Sequence, residues 1–295
     1  MKLNRRDFLK VSAATTGLVL LNTPRKAYAS DSSQKKSKAV LVDTTKCVGC
    51  WWCYAACKHE HHLPETIKPD TENPPKLNSD VWTTLNITKN NNKYYYAKRQ
   101  CMHCLEPACA AACPVGALQK TEAGPVVYDE NKCFGCRYCM VACPFGVPDF
   151  EWEDPTPWIR KCDFCVDRLA EGLEPACVDA CTNGALKFGD RDELIAEARE
   201  RIAAEPEKYV DHIYGEKEAG GTAWLYLTGI PMEKMDFPQV GKGPVTMNVH
   251  RAMAAVPPVL LGVAAGMTGI YWFIKRRELL RRGEKSEKTG QEVNR

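Results

Sequence analysis

The sequence predicts an α+β protein: two interleaved copies of one small cysteine-rich unit, an inserted loop, and a single transmembrane helix near the C-terminus. Three observations predict it. All sixteen cysteines fall into four groups of four. The groups repeat in the order A, B, A′, B′. Residues 252–274 carry no charge and are followed at once by KRRELLRR.

The groups are Cys47, Cys50, Cys53, Cys57; Cys101, Cys104, Cys109, Cys113; Cys133, Cys136, Cys139, Cys143; and Cys162, Cys165, Cys177, Cys181. The first and third read C-x2-C-x2-C-x3-C, the spacing of bacterial cluster-binding ferredoxins, and the second and third end in Pro114 and Pro144, as that spacing expects. Zinc also takes four thiolates, but it favours two well-separated C-x2-C pairs. Here three cysteines crowd into seven residues, which suits a cubane held at three corners by one tight loop. No C-x-x-C is followed by His, so c-type haem is excluded. A structural zinc protein is the distant alternative.

Internal repeats set the architecture. DTTKCVGCWWCYAAC (43–57) matches DENKCFGCRYCMVAC (129–143), and LEPACAAACPVGAL (105–118) matches LEPACVDACTNGAL (173–186). In two-cluster ferredoxins the fourth Cys of each motif ligates the other motif's cluster. Pairing B with A′ gives Cys101, Cys104, Cys109, Cys143 and Cys133, Cys136, Cys139, Cys113. Pairing A with B′ gives Cys47, Cys50, Cys53, Cys181 and Cys162, Cys165, Cys177, Cys57. The result is four [4Fe-4S] clusters on two interleaved bacterial ferredoxin-like 2[4Fe-4S] units. Every thiolate is used, so no iron is open to substrate, and the pattern argues for electron transfer rather than catalysis at a cluster.

Strands are expected at 39–42, 93–99 and 125–128, with short helical turns after the fourth cysteines. Asp190 and Glu193 are spaced as a capping box, opening a helix to about Ala204. Trp51 and Trp52 are placed to keep water off a cluster or to serve as ordinary core rings. Lys46, Lys132, Arg137, Arg160 and Lys161 adjoin cysteines; solvated surface is the simpler account. His59, His61 and His62 lie at the start of an inserted, Pro- and Asn-rich loop from about 58 to 92 and read as solvated.

The first twenty-nine residues read as an address. NRRDFLK carries paired arginines, Arg5 and Arg6, before an apolar stretch, and AYA (27–29) is a small-x-small cleavage site. A twin-arginine signal exports folded chains, so clusters inserted in the reducing cytoplasm survive export, and a disulfide framework is not needed. The segment 252–274 is long enough to span a bilayer, with Tyr271 and Trp272 at an interfacial position. The basic flank places the C-terminus in the cytoplasm and the cluster domain on the periplasmic side of the inner membrane. The expected domains are the signal 1–29, a four-cluster domain 30–248, the transmembrane helix 249–275 and a basic tail 276–295. The net charge of +3 is concentrated in the two ends and adds little.

The four motifs in this order, the paired arginines, the segment IYGEKEAGGTAWLYLTGIP (213–231) and the single C-terminal span together resemble the periplasmic four-cluster ferredoxin-like subunits of the HybA (hydrogenase 2) type, related to respiratory formate dehydrogenase beta subunits. The resemblance covers nearly the whole chain. It implies a non-catalytic subunit that relays electrons between a periplasmic catalytic subunit, a nickel-iron hydrogenase, and a multi-spanning quinone-reactive membrane subunit. The alternative it implies is the same role beside a formate dehydrogenase or another molybdopterin enzyme. Cys181-Thr182 departs from the Cys-Pro found in many members of the family.

Overall fold

The computed structural model describes residues 37–64, 69–155 and 157–292. The predicted export signal at 1–29 lies outside them. The first strand, β1 (Lys38–Asp43), is a continuous apolar run, AVLV, buried on both faces. Such a run belongs in the middle of a sheet rather than at a half-wet edge. It does sit there, antiparallel to a strand at Leu186–Asp190 and parallel to one at Trp224–Leu227.

Helix α1 (Trp52–Glu60) begins one residue before Cys53 and runs through Cys57. The strands β2 (Thr83–Asn90) and β3 (Lys93–Gln100) form an antiparallel hairpin, so the segment 58–92 is not an open loop as expected from its composition. Its two-residue turn, Asn91 and Asn92, has φ of 48° and 59°. Asn tolerates this left-handed region, and the turn's twist matches that of the flanking strands. Asn86 Nδ2 donates to the carbonyls of Met235 and Asp236 at 3.0 and 2.9 Å, tying the hairpin to the rest of the domain.

Next come α2 (Ala108–Ala111), the paired strands β4 (Leu118–Lys120) and β5 (Val126–Tyr128), α3 (Tyr138–Ala142), and the short pair β6 (Asp149–Phe150) and β7 (Ile159–Arg160). Then follow α4 (Val166–Ala170), α5 (Ala176–Asp179), β8 (Leu186–Asp190), α6 (Arg191–Ala204) and β9 (Trp224–Leu227). The helices α1 and α3 do not follow the fourth cysteine of their motifs, as expected: α1 starts before Cys57 and runs three residues past it, and α3 ends one residue before Cys143. The reason is a left-handed residue between the second and third cysteines, Trp51 (φ 65°) in one motif and Arg137 (φ 62°) in its repeat, which turns the chain into a helix early. The other two motifs carry a left-handed residue between their first and second cysteines, His103 and Phe164, where the first and third motifs have Gly49 and Gly135.

Helix α6 occupies the predicted span, but its capping box is not made, because the Asp190 carboxylate pairs with Lys38 Nζ at 3.0 Å across β1 and β8. Arg201 and Tyr209 both reach Asp43 Oδ2, at 3.0 and 2.9 Å, and fix this helix to the sheet. Trp224, Leu225, Tyr226 and Leu227 are almost wholly buried, with Phe164 and Leu41 beside them.

Gly215 shows how tightly the segment before β9 is wound. Its φ is 95°, and a Cβ there would lie 2.2 Å from the Trp224 carbonyl oxygen. Gly215→Ala is expected to cost about 3 kcal/mol through backbone strain and displacement of β9. At roughly 2–4 °C per kcal/mol the thermal midpoint falls by about 10 °C, measurable by calorimetry of anaerobic protein.

The last element, α7 (Thr246–Glu292), contains Ala255–Leu280, 26 residues long and apolar enough to cross a membrane and not buried in the protein. At about 1.5 Å per residue this reaches about 39 Å, beyond the ~30 Å hydrocarbon core. Pro257 and Pro258 lie inside it, as spanning helices tolerate. The helix does not stop at 275: its backbone continues to Glu292. At its start Thr246 Oγ1 donates to Glu106 Oε2 at 3.1 Å, two residues before α2.

Candidate metal centre

The first cysteine loop leaves β1 through Asp43, whose Oδ1 accepts from Thr45 N at 3.1 Å and Thr45 Oγ1 at 2.6 Å. Gly49 (φ 69°) then presses so closely on the Tyr96 ring that an added Cβ would lie 2.5 Å from it. This bends Cys47, Cys50 and Cys53 into one hollow. Cys181 enters the same hollow from the end of α5, and Trp51, Leu85 and Lys98 complete its wall. A second hollow is lined by Cys113, Cys133, Cys136 and Cys139, with Tyr128 and Ile159 behind them.

The other eight cysteines also meet in fours. Burial raises the Cys104 thiol, and Cys101, Cys143 and Cys109 raise it further, in that order. Burial likewise raises Cys57, with Cys177 and Cys165 adding to it, while Cys162 feels Cys57 in turn. Burial is the largest cause throughout, pushing Cys47 up to about 11, and Cys53, Cys109 and Cys165 up to about 12. Thiols in such surroundings ionise only when a metal takes the proton's place.

Three tests of fit for iron-sulfur clusters come from the protein itself. Backbone N–H groups already point at cysteine sulfurs: Ala117 to Cys113 at 3.2 Å, Gly135 to Cys133 at 3.4 Å and Phe164 to Cys162 at 3.4 Å. Trp51 Nε1 is a buried donor with no acceptor among the described residues, in the wall of the first hollow. Buried cations also stand among the thiols. Lys161 Nζ donates to the carbonyls of Val126 and Cys162, and the half-buried Lys120 donates to those of His103 and Cys104. Burial lowers Lys120 to about 8 against the pull of Cys104 and Cys101. Lys98 differs: burial opposes its charge, yet Cys177, Cys53, Cys162 and Cys57 together hold its ammonium above the ordinary value. Anionic clusters are the counter-charge this arrangement suits.

The sequence-level reading of several neighbours changes. Both Trp51 and Trp52 line the hollow, Trp51 buried and Trp52 61 % exposed. Lys46, Lys132 and Arg137 are solvated, but Lys161 is buried. His59 and His62 are exposed, whereas the His61 side chain is only 12 % exposed. It stacks on Trp82 with ring centres 4.7 Å apart and lies 3.5 Å from both Cys165 Sγ and Asp163 Oδ1. Lys98 escaped the sequence reading altogether. The signal was there: Lys98 and Gln100 share the parity of β3 that turns inward, and both are buried.

Thiols of different sets influence one another electrostatically. Cys53 of the first feels Cys177 of the set completed by Cys57. Cys162 of that set feels Cys101, and Cys109 beside Cys101 feels Cys139.

The comparisons agree with this chemistry. The family description "4Fe-4S dicluster domain" matches residues 92–191, and "TAT (twin-arginine translocation) pathway signal sequence" matches residues 2–21. The hydrogenase-2 operon protein HybA of Escherichia coli O157:H7 is 37% identical, over 90% of this chain and 94% of its own length. A protein of Nitratidesulfovibrio vulgaris is 40% identical, over 99% of this chain and 82% of its own. The formate dehydrogenase iron-sulfur subunit of Haemophilus influenzae is 32% identical, over 90% and 84%. With its motifs, its cysteine-lined hollows and these relatives in agreement, the chain belongs to the HybA-type family of 4Fe-4S electron-transfer subunits.

Proposed function

We propose that the chain binds four [4Fe-4S] clusters and serves as the electron relay between a periplasmic hydrogenase catalytic subunit and a quinone-reactive membrane subunit. The observation that carries the reading is the gathering of cysteines from distant motifs into common hollows, Cys47, Cys50, Cys53 and Cys181 in one and Cys113, Cys133, Cys136 and Cys139 in another. Electrostatic links between sets support the order Cys47 group, Cys162 group, Cys101 group, Cys133 group. The ligand sets are Cys47, Cys50, Cys53, Cys181; Cys57, Cys162, Cys165, Cys177; Cys101, Cys104, Cys109, Cys143; and Cys113, Cys133, Cys136, Cys139. The clusters supply one-electron chemistry. The chain's own part is to hold them in order, to keep water away with rings such as Trp51, and to leave no corner free for substrate. Pairing of β1 with β8 supports one ferredoxin-like unit made of the outer motifs, and pairing of β4 with β5 supports a second made of the inner ones.

The twin-arginine signal sends the chain across the membrane, and the apolar part of α7 is its anchor. The basic residues Lys275, Arg276 and Arg277 support a cytoplasmic C-terminus. The proposed divisions are 1–29, 30–248, 249–275 and 276–295. Contact between the start of α7 and the segment before α2 supports the Cys101 group as a membrane-proximal one. Similarity to formate dehydrogenase iron-sulfur subunits supports a second reading, the same relay beside a molybdopterin enzyme.

Metal analysis tests the core of the proposal. Anaerobically purified protein is expected to hold about sixteen iron and about sixteen sulfide per chain. Stoichiometric zinc without iron-sulfur absorption would sink it, and about eight iron would leave two of the four sets without a role.

A further inference from the structure

Lys98 is 2 % exposed, and its tip is fixed by a closed ring of bonds. Its Nζ donates to Gln100 Oε1 at 3.0 Å, Gln100 Nε2 donates to Tyr226 OH at 2.9 Å, and that hydroxyl donates to the Lys98 carbonyl at 2.8 Å. The ammonium lies 4.4 Å above the Trp224 ring. It lines the hollow formed by Cys47, Cys50, Cys53 and Cys181. The Trp224 ring beneath it meets Phe164, which lies between Cys162 and Cys165 of the next set, with ring centres 5.7 Å apart, and the lysine acts electrostatically on Cys53 of the first set and on Cys57, Cys162 and Cys165 of the next.

We propose that Lys98 is a counter-charge shared by the first two clusters, one ammonium that raises the reduction potentials of both. The proposal rests on the four-cluster reading above. Reduction adds negative charge to a cluster, and potential follows net charge, hydrogen bonding to sulfur and solvent exposure. A cation near both sites stabilises both reduced forms. Burial makes the effect large, because solvent and salt screen a buried charge far less than an exposed one such as Lys46 or Arg137. The ring through Gln100 and Tyr226 keeps the charge between the sites instead of letting it snorkel to water. Lys98 touches no substrate; it acts through the clusters alone.

The test is a potentiometric titration of the full chain followed by electron paramagnetic resonance. Lys98→Met keeps the length of the side chain and removes its charge. Iron and sulfide are expected to match wild type, while two signals move to lower potential, those also altered by Cys50→Ala and by Cys165→Ala. Each should show at least a tenfold change in the oxidised-to-reduced ratio at fixed potential, about 59 mV for one electron. The other two signals stay in place, and Lys98→Arg restores most of the shift. If both signals keep their potentials, Lys98 is structural only. If one moves alone, the charge is not shared, and if all four move together the effect is global. Should Lys98→Met fail to hold clusters, Lys98→Gln carries the same reading. Failure of both beside a loaded Lys98→Arg would assign the charge to assembly and overturn the proposal. Absence of iron from the wild type would instead defeat the cluster reading itself.

Discussion

Cys57→Ala is expected to abolish or transform the cluster signal that Cys162→Ala also abolishes, although the two cysteines belong to motifs far apart in the chain. Cys57 lies within α1, three residues before its end, and its thiol is in electrostatic reach of those of Cys177 and Cys165. Iron per chain should drop from about sixteen to between about twelve and about fifteen, according to whether the whole cubane or one corner iron is lost. In the proposed order the Cys162 group stands second, so its loss should interrupt electron flow between the Cys47 group and the Cys101 group. Turnover that links a catalytic partner to quinone should therefore fall to background, while the partner alone still reduces an artificial dye. Cys50→Ala provides the contrast, since it should alter a different signal. If Cys57→Ala and Cys50→Ala changed the same signal, each motif would close on itself and the crossed ligand sets would be wrong.

Removing the clusters is expected to unfold the cysteine domain while leaving α7 helical in detergent. The hollows are walled by the thiols, and stripping the metal leaves those thiols neutral and the ammonium groups of Lys98 and Lys161 buried without an anion. An unpaired buried charge costs several kcal/mol. A structural metal site contributes on the order of 10 kcal/mol by analogy with zinc peptides, against a total stability of about 5–15 kcal/mol for a domain. Losing four sites cannot be absorbed. Near-ultraviolet circular dichroism should disappear on anaerobic treatment with a chelator and a mild oxidant, and limited proteolysis should digest 37–245 first. The pH dependence has a definite sign. Protons compete with iron for thiols whose unligated values lie near 11 to 12, so stripping should speed up as pH falls. An apo chain with native spectra and native protease resistance would show that the fold stands without metal.

The cysteine sites were legible in the sequence because ligand spacing is a local property: three thiols on one loop must be close in sequence to meet one cubane. The repeat was legible too, and its like segments adopt like bends at Trp51 and Arg137; the pairing of distant motifs is the reading proposed from it. What was hidden depends on register and tertiary packing. Lys98 looks like an ordinary charged residue of an edge strand until β3 pairs with β2 and turns that parity toward the thiols. His61 resembles its solvated neighbours in composition, yet α1 delivers it to Trp82 and Asp163 while His59 and His62 face water. The capping box at Asp190 failed for a similar reason: Lys38, brought alongside by β1, offered its carboxylate a full charge. The hairpin in 58–92 was obscured by Asn and Pro, although Asn91 and Asn92 are the residues its turn needs.

The position of β1 governs when this protein can become a folded passenger. The strand is made early, in the first described residues after the signal, yet its antiparallel neighbour ends at Asp190 and its parallel neighbour at Leu227. Its apolar side chains have nowhere to go until the ribosome has passed both. Folding is thus high in contact order and essentially post-translational for this sheet, with a long interval in which AVLV is available to chaperones. Completion of the β1 sheet therefore requires synthesis through β9.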